Sequence, residues 1–366
     1  MLETLHKIYN NSPKENLRSI LGKVKRLYFK QKYPLKAFDS KMIKGISVKT
    51  NAQWKNSYST NYHELNFTNI ELFDKAILNE INKDLEGIIE GTDYLKNEMS
   101  YEERAFIHGI VRKTNAKNIV EIGVSAGGSA SVILNAIKDN KNAKLFSFDY
   151  NTTWYRETDD NCPNKKQTGF LVPQIIPELS PKWSLLTGGM PCKYFHLLPD
   201  EGIDICLIDT VHVNPGEHLN ILEILPFMKK NGIIIFHDTE FHTLYDTLGT
   251  TNCVSLNSLN GKRIVLKNTK NHGLANIGAI ILDDNTENML YSLFSNISLP
   301  WAYAISEEDF KTIFKHFLKY YPYDMVMVYL YYSIFYMNGG LNNSKLAVQL
   351  AQDTIELFKK DFLSKT

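Results

Sequence analysis

The chain has 366 residues, 43% hydrophobic and 22% charged, which is enough to build a sizeable core and too apolar for global disorder. Its 41 Lys and Arg against 40 Asp and Glu leave a formal charge of +1, which gives no reason to expect nucleic acid as a partner. The opening MLETLHKIYNNSPKENLRSIL lacks an apolar run of signal-peptide type, and the 4 cysteines show neither zinc-type spacing nor a CxxC pair, so a cytoplasmic location is expected.

In chain order, three regions differ in character. Residues 1–100 read as a mostly helical extension without a strong strand signal. Within it, 18–36 (RSILGKVKRLYFKQKYPLK) has the pattern of a basic amphipathic helix, to be read as a solvated face against the core rather than a membrane contact. From 101 to 285, short apolar strands alternate with amphipathic helices. Helix 101–114 carries acids at its start and bases at its end, as the helix dipole favours. Strands follow at 118–123, 144–149, 183–187, 203–209 and 232–237, with helices at 127–139, 170–179, 190–198 and 215–230 between them. Strands apolar on both faces belong to a parallel sheet covered by helices. Two later strands, 262–267 and 276–283, fit an antiparallel edge hairpin. The expected fold is therefore α/β, a doubly wound and mostly parallel seven-stranded sheet with helical N- and C-terminal extensions.

Residues 286–366 return to helical periodicity. Their most apolar run, 325–337 (MVMVYLYYSIFYM), is shorter than the roughly 18–20 residues that span a bilayer, so a buried helix is expected and no transmembrane segment. Packing on the core, capping a site and forming a homo-oligomer interface are all open roles for this extension.

Segment 120–129 (VEIGVSAGGS) is the most informative. A strand ends at Gly123 and a helix begins near Gly127. Glycine permits the sharp turn and lets a ligand approach the backbone, and the new helix offers free N–H groups. The spacing Gly123-x-Ser125-x-Gly127-Gly128 lacks the middle glycine of a dinucleotide-binding loop. Asp149 ends the next strand, where an acid meets ribose hydroxyls in nucleotide-binding sheets. The loop alone fits an ordinary turn and Asp149 alone fits a helix cap. Together they point to a ribose-containing cofactor, with Tyr150 beside Asp149.

Further on, strand 203–209 ends in Asp209 with His212 three residues later (IDTVH), and strand 232–237 ends in His237-Asp238. All four fall at the carboxyl ends of strands, where open sheets bind ligands. Such a cluster suits a divalent cation or proton transfer. Capping of loops by Asp209 and backbone bonding by the histidines are the plainer readings. His218 reads as a surface residue and His242 as a residue near the rim.

The loop and the run IDICLIDTVHVNPGEHLNILEILPFMKKNGIIIFHDT resemble class I S-adenosylmethionine-dependent methyltransferases. They are similar in particular to the branch containing macrolide-sugar O-methyltransferases and cephalosporin-hydroxylase-like proteins. The resemblance covers the core, about half the chain, and implies a Rossmann-like methyltransferase fold. It implies that Glu121 and the backbone from Gly123 through Ser125 to Gly127 face the methionine part of S-adenosylmethionine. Asp149 would face its ribose and the 186–190 turn (LTGGM) its adenine. It implies Asp209 and Asp238 as magnesium ligands and His212 as base, with Asp209 supporting catalysis. His237 stands where metal-binding members carry a carboxylate, so Mg2+ dependence stays open. The implied acceptor is a hydroxyl of a small sugar-like molecule of a surface glycan.

Two other classes compete. An NAD-dependent nucleotide-sugar oxidoreductase or epimerase would share the sheet and Asp149, but the loop lacks its middle glycine and no convincing YxxxK pair accompanies the rim. A non-catalytic binding or assembly module would keep the core for binding alone. The polar, aromatic insertion 150–167 offers Trp154, Tyr155 and Arg156 as ligand contacts, or is a plain surface excursion.

Overall fold

The computed structural model describes residues 62–65, 99–156, 165–239, 251–267, 274–282 and 286–363. The chain divides into two compact units, Met1–Thr60 and Asn61–Thr366. The first lies outside the described residues, as do the basic 18–36 segment, Cys162 and His242.

Strand β1 (Tyr62–Leu65) is followed by helix α1 (Tyr101–Thr114), then β2 (Asn118–Ile122), α2 (Gly128–Ala136) and β3 (Lys144–Asp149). Short α3 (Val172–Ile175) leads to β4 (Trp183–Thr187), β5 (Ile203–Ile208), α4 (Gly216–Ile224) and β6 (Met228–His237). Next come α5 (Thr251–Ser258), β7 (Gly261–Lys267), β8 (Leu274–Leu282) and the closing helices α6 (Thr286–Asn296), α7 (Glu307–Tyr320), α8 (Tyr323–Met337) and α9 (Ser344–Leu363).

The seven expected strands are all present, and β1 adds an eighth. The sheet order is β1-β7-β8-β6-β5-β2-β3-β4. All neighbours are parallel except β6–β8 and β7–β8. The hairpin is therefore not the sheet edge: β1 pairs with β7 from outside, Tyr62 opposite Arg263. The strand order reverses at β2, which lies between β3 and β5, and a ligand crevice opens at such a switch point.

Alternation along the strands builds a core on each face. Ile119, Leu145, Leu207 and Ile235 face α1 and α2 with Phe106, Ile107 and Ile133. The neighbouring Val120, Phe148, Ile208 and Phe236 face the other way, toward α4 and the C-terminal helices. Phe317 and Tyr329 are fully buried there, so the C-terminal helices are part of the core. Truncating Phe317 to Ala would cost about 3–5 kcal/mol. Helix α8 holds the apolar 325–337 run in this core, as expected. Among the described residues no helix is long and apolar enough to cross a membrane.

Proline makes some helices shorter than their patterns suggest. Pro177 divides the 170–179 segment into α3 and a 3-10 turn at Pro177–Lys182. The 190–198 segment is a 3-10 helix, Pro191–Leu197, with its proline at the first helical position. Pro226 ends the helical part of 215–230, so a 3-10 turn follows α4 and β6 starts at Met228. Helix α1 opens with a capping box: Glu103 N–H donates to Ser100 Oγ at 3.2 Å, and Ser100 N–H donates to Glu103 Oε2 at 2.5 Å.

Candidate functional site

A cavity of about 740 Å³ opens at the carboxyl ends of β2, β3 and β5. Ligand pockets for molecules of cofactor size are typically about 300–1,000 Å³. One wall is the glycine loop. Gly123 has φ +93°, and a Cβ there would fall 1.8 Å from the Asp209 carbonyl oxygen. Only glycine lets β2 and β5 end side by side, with Asp209 N–H donating to Ile122 O at 2.9 Å. Ser125 also takes a left-handed backbone, φ +51°. Gly127 opens α2 and packs on Gly169, whose Cα lies 3.1 Å from where a Cβ would be.

Asp149 fixes this loop. Its Oδ2 accepts the N–H groups of Val124 (2.9 Å) and Ser125 (3.1 Å), and its Oδ1 accepts that of Asn151 (2.8 Å). A carboxylate offers about four lone-pair sites, so one remains for a ligand hydroxyl. Gly188 N–H donates to the Asp149 carbonyl at 3.1 Å, which brings the 186–190 turn alongside. Met190 of that turn lines the cavity.

Of the residues expected around a cofactor, Gly123, Ser125, Asp149 and Tyr150 line the cavity. Glu121 does not. Its side chain points to the opposite sheet face, fully buried, and accepts the hydroxyls of Ser129 (2.5 Å) and Ser147 (2.6 Å). Burial pushes its pKa up to about 8. Glu121 thus anchors the first turn of α2 from behind, and Gly127 likewise supports the loop from outside the cavity. The insertion splits in the same way. Tyr155 lines the cavity, Trp154 is buried and donates from Nε1 to Ser125 Oγ at 3.1 Å, and Arg156 donates to Tyr155 Oη at 2.8 Å. Residues 157–164 lie outside the described residues.

The other wall holds the titratable cluster. His212 and Asp238 both have left-handed backbones, φ +58° and +55°, and side chains with a Cβ adopt this region only under constraint. His212 Nε2 lies 3.0 Å from Asp238 Oδ2 and 3.9 Å from Asp209 Oδ1. On its other side, Nδ1 lies 3.3 Å from Glu217 Oε1, which also accepts the His212 backbone N–H. Burial alone would lower the His212 pKa. Glu217, Asp209 and Asp238 outweigh it and push the value up to about 9. Asn276 Nδ2 donates to Asp238 Oδ1 at 2.5 Å. Despite burial, His237, His212 and this bond hold the Asp238 carboxyl below its usual range.

His237 is buried with carboxylates at both ring nitrogens. Nδ1 lies 3.2 Å from Asp209 Oδ2 and 3.4 Å from Asp238 Oδ2, and Nε2 lies 3.5 Å from Glu103 Oε1. Its burial opposes the charged form, but these acids raise its pKa well above normal. Among the described residues, Asp209, His212 and Asp238 bring one donor atom each within 4.8 Å of one another. Either imidazole can stand with the two acids as a third donor, His212 through Nε2 and His237 through Nδ1. Two carboxylates and an imidazole suit a divalent cation that accepts mixed oxygen and nitrogen ligands better than they suit magnesium.

Sequence reasoning missed six contributors. Glu103 belongs to a cap that looks purely structural, yet reaches His237. Glu217 and Asn220 sit on α4, and Asn220 lines the cavity with Thr210, 3.1 Å from Thr210 Oγ1. Tyr303, Ser306 and Asp309 of the C-terminal extension close the far side, with Tyr150 Oη donating to Asp309 Oδ2 at 3.1 Å. The expectation of a surface position for His218 is corrected. It is buried, lies 3.1 Å from Asn214 Oδ1, and has its pKa pushed down to about 4 by burial.

Residues 120–239 match the model of a methyltransferase domain. Among solved structures, the chain is similar to the O-methyltransferase TomG from Streptomyces achromogenes, involved in tomaymycin synthesis and in complex with SAM, at 11% identity, 59% of this chain, 94% of that chain and TM-score 0.41. It is similar to an O-methyltransferase from Bacillus cereus in complex with SAH, at 13% identity, 58% and 94% coverage and TM-score 0.41. The SAH-bound Podospora anserina methyltransferase PaMTH1 is similar at 14% identity, 68% and 99% coverage and TM-score 0.39. No curated protein matches the chain.

Proposed function

We propose, from the methyltransferase domain that this chain carries, that it transfers the methyl group of S-adenosylmethionine to a hydroxyl of a small, sugar-like molecule of a surface glycan. The observation that carries this reading is the single cavity shared by the glycine loop, Asp149, Asp209 and His212. The spare acceptor site on Asp149 suits a ribose hydroxyl. Ser125, with its side chain tied to Trp154, occupies the place where a dinucleotide loop needs glycine, which favours S-adenosylmethionine over NAD. The sugar-like acceptor rests on the resemblance of the 203–239 run, and the polar Asn220, Tyr303 and Ser306 suit it.

When bound, the cofactor supplies an electrophilic methyl group on a sulfonium. The chain's residues must hold the acceptor oxygen in line, exclude water and receive its proton. His212 lines the cavity and takes that proton at Nε2. A pKa near 9 makes it a strong base for a high-pKa alcohol, at the cost of a small neutral fraction at pH 7. Asp209 and Asp238 hold the resulting imidazolium.

The donor set of Asp209, His212 and Asp238 favours a second reading of the same wall. These three would hold a divalent cation, whose charge lowers the pKa of a bound hydroxyl. One imidazole nitrogen cannot both ligate a cation and accept the proton, so the readings exclude each other. The test is S-adenosylhomocysteine release from S-adenosylmethionine over a panel of free sugars and sugar nucleotides, with EDTA or with added Mg2+ or Mn2+. Acceptor-dependent release that survives EDTA supports the base reading, and release that needs the metal supports the cation reading. Release with protein or nucleic-acid acceptors alone contradicts the proposed substrate class.

A further inference from the structure

We propose that Glu217 is a positioning residue that sets the His212 imidazole for its work at the cavity wall; this rests on the functional reading of His212 given above. Glu217 lies in the first turn of α4 and is fully buried. Its Oε1 addresses His212 twice, accepting the backbone N–H and lying 3.3 Å from Nδ1. The first contact is a hydrogen bond that holds the left-handed turn at φ +58°, and the second sets the carboxylate beside the ring. With both in place, Nε2 is the nitrogen left to face Asp238 and Asp209. A carboxylate behind a histidine commonly fixes ring orientation in this way, and losing it typically costs about 10- to 100-fold in the function of that histidine.

The hydrogen bond to the His212 backbone accounts for only one of the two Glu217 oxygens. The second oxygen, Oε2, has no hydrogen-bond partner among the described residues. A buried carboxylate left half-satisfied is expensive, and the positive end of α4 offsets only part of that cost. Glu121 is the contrast within the same domain, since both of its oxygens accept hydroxyls. A neutral amide of the same shape at position 217 would keep the hydrogen bond to the His212 backbone. A carboxylate with one oxygen left over, placed behind the histidine of the cavity wall, serves that histidine.

The test compares E217Q, H212A and the double variant in the full chain. Glu217→Gln is expected to lower kcat about 10- to 100-fold, leave the S-adenosylhomocysteine Kd within about twofold, and leave Tm unchanged or higher. In the H212A background it is expected to have no further effect on kcat, because a positioning residue acts only through its partner. Full kcat in E217Q, additive losses in the double variant, or a kcat loss that tracks a fall in Tm each overturn the proposal. A wild-type chain that fails to bind S-adenosylhomocysteine contradicts the functional reading instead. The 15N signals of the His212 ring then decide separately: a shift of Nδ1 in E217Q is expected, and an unmoved Nδ1 signal overturns the positioning role.

Discussion

The two walls of the cavity are built by different means. On the glycine-loop side, backbone geometry does the positioning: Gly123 permits the close approach of β5, and Asp149 satisfies three N–H groups. On the β5–β6 side, side chains do it. Two imidazoles meet Asp209 and Asp238 from separate strand ends, and two residues with Cβ atoms sit in left-handed backbone. Binding a common ligand needs a preformed, satisfied surface, whereas proton or cation chemistry needs charges held close together. Left-handed backbone at residues with a Cβ occurs on both walls, at Ser125 and at His212 and Asp238, whereas the raised histidine pKa values concentrate on one.

Substitutions can break this division, and His212→Ala is expected to have the largest effect. It should reduce kcat by about 10²- to 10⁴-fold, the usual contribution of a positioned acid or base, with cofactor affinity retained in calorimetry. Equal loss of affinity would merge the two walls into one functional unit. Gly123→Ala comes next. Its Cβ would collide with the Asp209 carbonyl at a φ that disfavours any Cβ, so a loss of about 3 kcal/mol of stability is expected in urea unfolding. Asp149→Ala should weaken S-adenosylhomocysteine binding by about 10- to 100-fold, the worth of one or two bonds to a charged group, while leaving the pH dependence of any residual turnover unchanged.

The smaller effects sharpen the comparison. Glu121 has a folded-state pKa of about 8 against an ordinary 4.5. The folded chain thus keeps a proton that the unfolded chain releases, and this contribution to stability is full below pH 4.5 and is lost as pH rises to 8. Glu121→Gln should make the fall in unfolding free energy across that window shallower. It should not abolish the fall, because Glu223 titrates in the same range for the same reason, burial. Tyr150→Phe removes one exposed bond to Asp309 and should change cofactor affinity no more than about fivefold.

The same division decides what can be read from the sequence. The glycine spacing and Asp149 are local signals in register with strand ends, so the binding wall is legible. Asp209, His212, His237 and Asp238 are legible as strand-end residues, but not their partners. Glu103 looks like a cap, Glu217 like a helix-start acid, and Tyr303 with Asp309 lies outside the apparent core. Only the chain's three-dimensional return brings them to the rim. His218 follows the same logic: a polar residue in an amphipathic-looking helix is buried because the C-terminal helices cover α4. Strand β1 is missed because an edge strand of four residues carries too little pattern. The shortening of the 170–179 and 215–230 helices, by contrast, follows from Pro177 and Pro226, which are visible in the sequence.

The most direct test of the central claim is calorimetric titration of the full chain with S-adenosylmethionine, S-adenosylhomocysteine and NAD, repeated with Asp149→Ala. Binding of the two sulfur nucleosides with one site per chain, lost or strongly weakened in the variant and absent for NAD, is the predicted result. Binding of NAD alone would contradict the account and require the rim histidines to be reread as part of a redox or epimerase site.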